Sequence, residues 1–232
     1  VLFGTSALGV RALSLLSGLG IILLLYYIGR KLFSERVGLL AALIGSVSPW
    51  DISLSRGGFE AHLALFLAIS GFYFFFKAKG KPSFYILSAL SFGLTFHTYP
   101  TYKVTLFLFI PLLIWYQWKD ISTRKNPKII ISSLILFLIL AGSSLSQTFI
   151  GGSEARFTEI NILSQEELNK SIEQKISLER ELSQLPSLIA KIFHNRGIEI
   201  IKIFLENYMQ NFSLDFLVLH GDKNPRHNMA TI

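Results

Sequence analysis

The sequence predicts an all-α integral membrane protein, a bundle of about six transmembrane helices followed by a small, mainly helical extracytoplasmic segment. Three observations predict it. Of the 232 residues, 51% are hydrophobic and 16% charged, where an ordinary soluble domain is about 25% charged. Mean hydropathy is +0.48. The 22 Lys and Arg residues punctuate long apolar runs instead of forming a stripe. That is how a membrane protein carries its charge, so the pI near 9.6 does not point to nucleic acid. The absence of cysteine excludes a disulfide scaffold, a thiolate zinc site and a cysteine nucleophile.

A helix crosses the ~30 Å hydrocarbon core with about 20 apolar residues. Candidate spans lie near 8–29, 37–49, 61–76, 84–96, 104–118 and 129–149. The second is short, so it must tilt, thin the bilayer or continue past Pro49. The linkers alternate in charge. Arg30, Lys31 and Arg36 follow span one, Lys77, Lys79 and Lys81 follow span three, and Lys119, Arg124, Lys125 and Lys128 follow span five. The other two linkers carry only Arg56 and Lys103. The positive-inside rule therefore puts the three basic linkers in the cytoplasm of a bacterial-type membrane. Residues 50–60, residues 97–103 and the segment 150–232 then share the external side. Val1 in place of Met predicts an internal fragment of a larger membrane protein.

The last segment differs in kind. Residues 151–232 hold 9 basic and 11 acidic residues, against 13 and 4 in residues 1–150. Ser164 and Glu167 have capping-box spacing and open a charged amphipathic stretch to about Leu185. Pro186 interrupts it. Residues 187–193 and 197–208 read as two short helices, 212–219 as aromatic and β-prone, and 221–227 as a turn-rich loop.

Two polar clusters stand out between the spans. The first holds Asp51, Arg56 and Glu60, with Gly57 and Gly58 after the arginine. An arginine fork suits a phosphate or carboxylate, and a charge such as Glu60 at the mouth of a span is costly when unpaired. The plain alternative is an interfacial loop closed by an Arg56–Glu60 ion pair. The second cluster is His97, Tyr99, Tyr102 and Lys103. Tyrosines anchor helices at interfaces, and lysine is a point-charge phosphate binder. Arg11, at the outer end of span one, can snorkel, pair with Glu60 or bind a phosphate. Asp222 and Arg226 are further polar candidates. His62 reads as a packed polar residue. His194, His220 and His227 lack metal-ligand spacing, although His220, Asp222 and His227 leave a weak metal alternative. Asn211 and Ser213 match a glycosylation sequon, a pattern frequent by chance.

Arg11 before a Leu/Gly-rich span, Tyr26-Tyr27-Ile28-Gly29-Arg30-Lys31-Leu32-Phe33, the Arg36-Val37-Gly38 run, Ser48-Pro49-Trp50 and Ser55-Arg56-Gly57-Gly58-Phe59-Glu60 occur in this order. Together they resemble the GT-C superfamily of integral-membrane glycosyltransferases, most closely its protein-mannosyltransferase and aminoarabinose-transferase-like branch. The resemblance covers roughly residues 1–118. Asn207-Tyr208, the run 212–217 and Gly221-Asp222 look like the external segment of bacterial members. The resemblance implies transfer of a sugar from a polyprenyl-phosphate donor to an external acceptor, generally with inversion. It implies that Glu60 supports the site and that Arg11, Arg56, His97, Tyr99 and Lys103 hold the donor phosphate. The main base is expected in a loop upstream of Val1, and Asp51 lies in the wrong loop to replace it, so the fragment is expected to be inactive alone. The donor and the bilayer are the implied partners. The acceptor stays open among protein, lipid A and another glycan. No cofactor is called, with a divalent metal left open. The rival readings are a transporter or flippase for a lipid-linked or anionic substrate, which needs polar residues at mid-membrane, and a non-catalytic scaffold.

Overall fold

The computed structural model describes residues 7–122, 127–150, 166–183, 186–219 and 221. They are almost wholly helical and fall into two compact units, with Gln147–Gly221 forming the second. The first holds α1 (Ala7–Leu32), α2 (Glu35–Ser46), α3 (Pro49–Gly57), α4 (Glu60–Lys77), α5 (Phe84–Thr98), α6 (Thr101–Tyr116), α7 (Trp118–Ser122) and most of α8 (Lys128–Ile150).

Small residues set the packing of this unit. A Cβ added to Gly29 would meet Gly38 Cα at 2.9 Å, and one added to Gly38 would meet the Tyr26 carbonyl at 2.6 Å. The two backbones therefore touch, and α2 runs antiparallel to α1. Ser34 caps α2 by accepting from the Val37 amide at 3.3 Å. Gly18 meets His62, Gly20 meets Phe66, and the Tyr27 and Tyr73 rings lie 5.9 Å apart, so α4 runs parallel to α1. The chain must then travel back between them, and α2 and α3 together make that return.

Beyond α4, a tight hairpin reverses the chain. Phe75 and Tyr85 rings lie 5.6 Å apart, and Ser88 donates to the Gly71 carbonyl at 2.9 Å. The end of α6 returns to the start of α5, where the Tyr85 hydroxyl donates to Gln117 Oε1 at 3.2 Å. Gly93 against Leu140 and a 2.7 Å bond from Ser144 Oγ to the Phe96 carbonyl lay α8 parallel to α5. Phe75, Tyr85, Phe92, Phe96, Leu106 and Leu113 form the buried core of this half.

The unit is inside-out relative to a soluble bundle. Leu19, Leu23, Leu43, Leu138 and Phe107 are more than half exposed, whereas Ser14, Ser17, Ser70, Ser88, Ser133 and Ser144 are buried. Apolar solvent outside and small polar residues between helices are the pattern of membrane bundles. The spans thus carry small polar residues in their interiors. Ser14, Ser88 and Ser144 donate across to a neighbouring segment, while Ser17, Ser70 and Ser133 donate within their own helix.

The span count is reported as a difference. Arg11–Leu32, Glu60–Lys77 and Lys128–Gln147 are long and apolar enough to cross a membrane. The predicted span 37–49 breaks at Val47 and Ser48, and α2 and α3 together pass only as a pair bent by 55°. Pro49 does not end the helical path. It takes the first helical position of α3, where its missing N–H costs nothing. Residues 50–57, expected to be loop, are therefore helix. At 15 and 16 residues, α5 and α6 are shorter than a simple crossing. Three or four spans, not six, meet the length test among the described residues.

The second unit contains α9 (Glu166–Leu182), α10 (Ser187–Phe193), α11 (Arg196–Gln210) and a π-type turn at Asp215–Leu219. The expected helix at 187–193 is found, and the expected 197–208 is widened at both ends. Asn195 caps α11, its side-chain oxygen accepting from the Ile198 amide at 3.0 Å. The run 212–219, read as β-prone, instead ends in helical geometry at Asp215–Leu219. Glu199 is fully buried, 2.9 Å from Lys175 on α9 and bonded to Lys202 one turn further on. Those two ammonium groups hold its carboxyl below the usual glutamate range, the Lys202 hydrogen bond foremost. The same pairing raises both lysines. His194 donates from Nδ1–H to the Glu179 carboxylate at 2.7 Å in the same network.

Candidate functional site

Three helices build one polar corner of the first unit. Asp51 and Ser55 stand one turn apart on α3, His62 lies in the first turn of the facing α4, and Gly18 of α1 closes against all three. His62 is wholly buried, with Nε2 2.9 Å from Asp51 Oδ1, whose side chain is 14% exposed. The Nε2–H donates to the carboxylate, and Nδ1 is buried with no hydrogen-bond partner. Ser14 of α1 adds a 3.2 Å bond to the Phe59 carbonyl in the α3–α4 connection.

That scaffold positions the charges. Arg11 lies one turn before Ser14, so α1 brings it level with the end of α3, where Arg56 occupies the last turn. Gly58 then takes the left-handed conformation at φ 73°, and Glu60 opens α4. A cation in a last turn and a carboxylate in a first turn each complement the helix dipole. Arg11, Arg56 and Glu60 are all exposed. No Arg56–Glu60 ion pair forms among the described residues, so that expected closure is corrected: the two charges sit on different helices across the Gly58 turn. Asp51, a possible site residue of the first cluster, is engaged by His62.

The second cluster lies at the same end. Because α4 and α5 pair antiparallel, the Glu60 end of α4 is also the His97 end of α5. His97 Nε2 lies 2.9 Å from the Leu140 carbonyl and 3.1 Å from Ser143 Oγ. Lys103 donates to the Ser144 carbonyl at 3.4 Å. Both therefore tie the α5–α6 connection to α8. The Tyr99 and Tyr102 rings meet edge-on at 6.4 Å. The basic linkers gather at the opposite end, where Lys31, Lys79 and Lys119 line one cavity with Asp120, and Lys79 pairs with Asp120 at 3.2 Å.

Asp222, Arg226, His220, His227, Arg124 and Lys125 lie outside the described residues. Among those described, no three His, Asp or Glu side chains cluster as metal ligands. Asp51 and His62 alone do not make a cation site, so no step is assigned to a metal.

A rival polar pathway through the bundle finds little support. Ser17, Ser70, Thr95 and Ser133 each donate to a carbonyl four residues back in their own helix. What sequence reasoning missed is the Asp51–His62 contact. The eleven-residue separation hid it, and the left-handed break at Gly58 between α3 and α4 brings the two side chains together.

Comparison with known proteins gives a family match. A family model described as dolichyl-phosphate-mannose-protein mannosyltransferase covers residues 1–144. No curated protein and no solved structure matches the chain.

Proposed function

We propose, because the chain belongs to the dolichyl-phosphate-mannose-protein mannosyltransferase family, that it works in a membrane glycosyltransferase at the polar end of its bundle. The donor in this reading is a sugar on a polyprenyl phosphate, and the acceptor is met on the extracytoplasmic face. What supports it is that Arg56 ends α3, Glu60 opens α4 and Arg11 lies one turn before Ser14, which bonds the α3–α4 connection, while the basic linkers lie toward the other end. Alternating helix directions also favour six passes, with α2 and α3 forming one bent crossing and the short α5 and α6 two more.

The chemistry suits that end. The donor has an apolar tail for the bilayer and an anionic head for its boundary. An acceptor hydroxyl attacks the anomeric carbon, the bond from that carbon to the phosphate oxygen breaks, and the lipid phosphate leaves with the electron pair. Arg56 and Arg11 offset the charge on that leaving phosphate. Glu60 supports and orients the acceptor, while the proton-accepting carboxylate is expected from the loop that the sequence resemblance puts ahead of the first span. His97 and Lys103 act chiefly by fixing α8 beside this corner, and Tyr99 lines it.

The test is a lipid-linked donor assay on the full-length protein. Glu60→Gln and Arg56→Ala should each lose most transfer while inserting normally. Full activity in both would remove them from the site.

A further inference from the structure

In the second unit, α11 is turned the unusual way round. A helix on a soluble domain buries its apolar stripe and shows its charges. Here Glu199 has no solvent exposure and Lys175 and Lys202 close over it, so the charged side faces α9. The outward side is a helical stripe of Ile201, Phe204, Leu205, Tyr208 and Met209, continued by Phe212 beyond the helix. Each is between 50% and 64% exposed. The Phe204, Tyr208 and Phe212 rings form a ladder, with centroids 6.2 and 5.2 Å apart. No charged residue interrupts the stripe.

We infer that this stripe of α11 rests in the surface of a lipid bilayer. The chain itself supplies the reason for that occupant. The unit begins at Gln147, the residue at which the candidate span Lys128–Gln147 ends. Residues 151–165 are all that separate α8 from α9, so the unit is tethered to a membrane crossing. Large aliphatic and aromatic side chains with a single tyrosine hydroxyl are those that partition into the boundary between headgroups and acyl chains. The two lysines beside the stripe's helix, Lys175 and Lys202, are already paired with Glu199 inside the unit. Binding is therefore apolar, and a zwitterionic lipid suffices. The inference holds whether or not the chain transfers a sugar.

The absence of cysteine makes the test direct. The full chain is reconstituted in phosphatidylcholine liposomes with a fluorophore on one introduced cysteine: Phe204→Cys, Met209→Cys, or Lys170→Cys on exposed α9. Nitroxide-bearing phosphatidylcholine probes the lipid and iodide probes the water. The first two positions should be quenched several-fold more by the lipid nitroxide than the third, and several-fold less by iodide. Adding Phe204→Glu to the Met209→Cys variant should move that label toward iodide while leaving a Lys170 label unchanged. Stripe labels as open to iodide as Lys170→Cys would overturn the inference. Labels shielded from both quenchers would overturn it too, because protein would then cover the stripe.

Discussion

His62 on α4 holds Asp51 on α3 at 2.9 Å, and its ring is entirely buried. The angle between these two helices is therefore fixed by a side-chain contact as well as by the connection at Gly58. Replacing His62 with alanine leaves Asp51 without its donor and opens a cavity beneath Gly18. The expected cost is about 2–4 kcal/mol. Asp51→Asn keeps an acceptor oxygen and should cost about 1 kcal/mol or less. Thermal unfolding of the purified full chain in detergent measures both. An alanine variant that melts like the parent would sink the assignment.

A second prediction concerns the contact of α1 with α2. Gly38→Ala drives a methyl toward the Tyr26 carbonyl and the Arg30 amide, and neither is a side chain that can rotate away. The helices must separate, at about 1–3 kcal/mol. Gly142→Ala is the matched control, since a Cβ there meets nothing within 4 Å. The expected result is a lower melting temperature for the first variant and no fall for the second.

His97 supplies a third. Its bonds to the Leu140 carbonyl and Ser143 anchor the C-terminal half of α8. His97→Ala should loosen α8 and raise proteolytic nicking near 140–147 before it alters donor affinity. Reduced donor binding with unchanged nicking would instead return His97 to the phosphate site.

The fourth follows from Glu199. Its native pKa lies below the usual value, so its pairing stabilises the second unit above the unfolded glutamate pKa of about 4.3. That contribution is lost as pH falls through the lower native value. Lys175 and Lys202 are raised, so theirs is full below about 10.4 and lost as pH rises through the native values. Protection of α11 amides, taken relative to their intrinsic exchange rate at each pH, should be highest on the plateau between these limits and fall at both ends. In Glu199→Gln the acid limb should flatten.

The helices of the first unit were legible because a 20-residue apolar run has few other meanings, and α1, α4 and α8 fall where their runs predict. The basic linkers were legible for the same reason. The path after Pro49 was not. Asp51, Ser53, Ser55 and Arg56 look like a polar loop because hydropathy reports transfer cost, while a proline at the first helical position permits a new helix. The candidate site was legible as residue types but not as pairings. Arg56 and Glu60 seemed natural partners at four residues' distance, yet the left-handed Gly58 breaks the helix that would have stacked them. In α11 the period of 3.6 was plain, but periodicity does not say which face turns inward. Lys175, on another helix, decides that for Glu199.

The buried hydroxyls of the bundle have an electrical consequence. Ser14, Ser17, Ser70, Ser88, Thr95, Ser133 and Ser144 each give their proton to a backbone carbonyl. A hydroxyl so engaged does not readily reorient to pass protons along a file of water. Along these residues the bundle behaves as an insulator, able to sit in an energised membrane without discharging it.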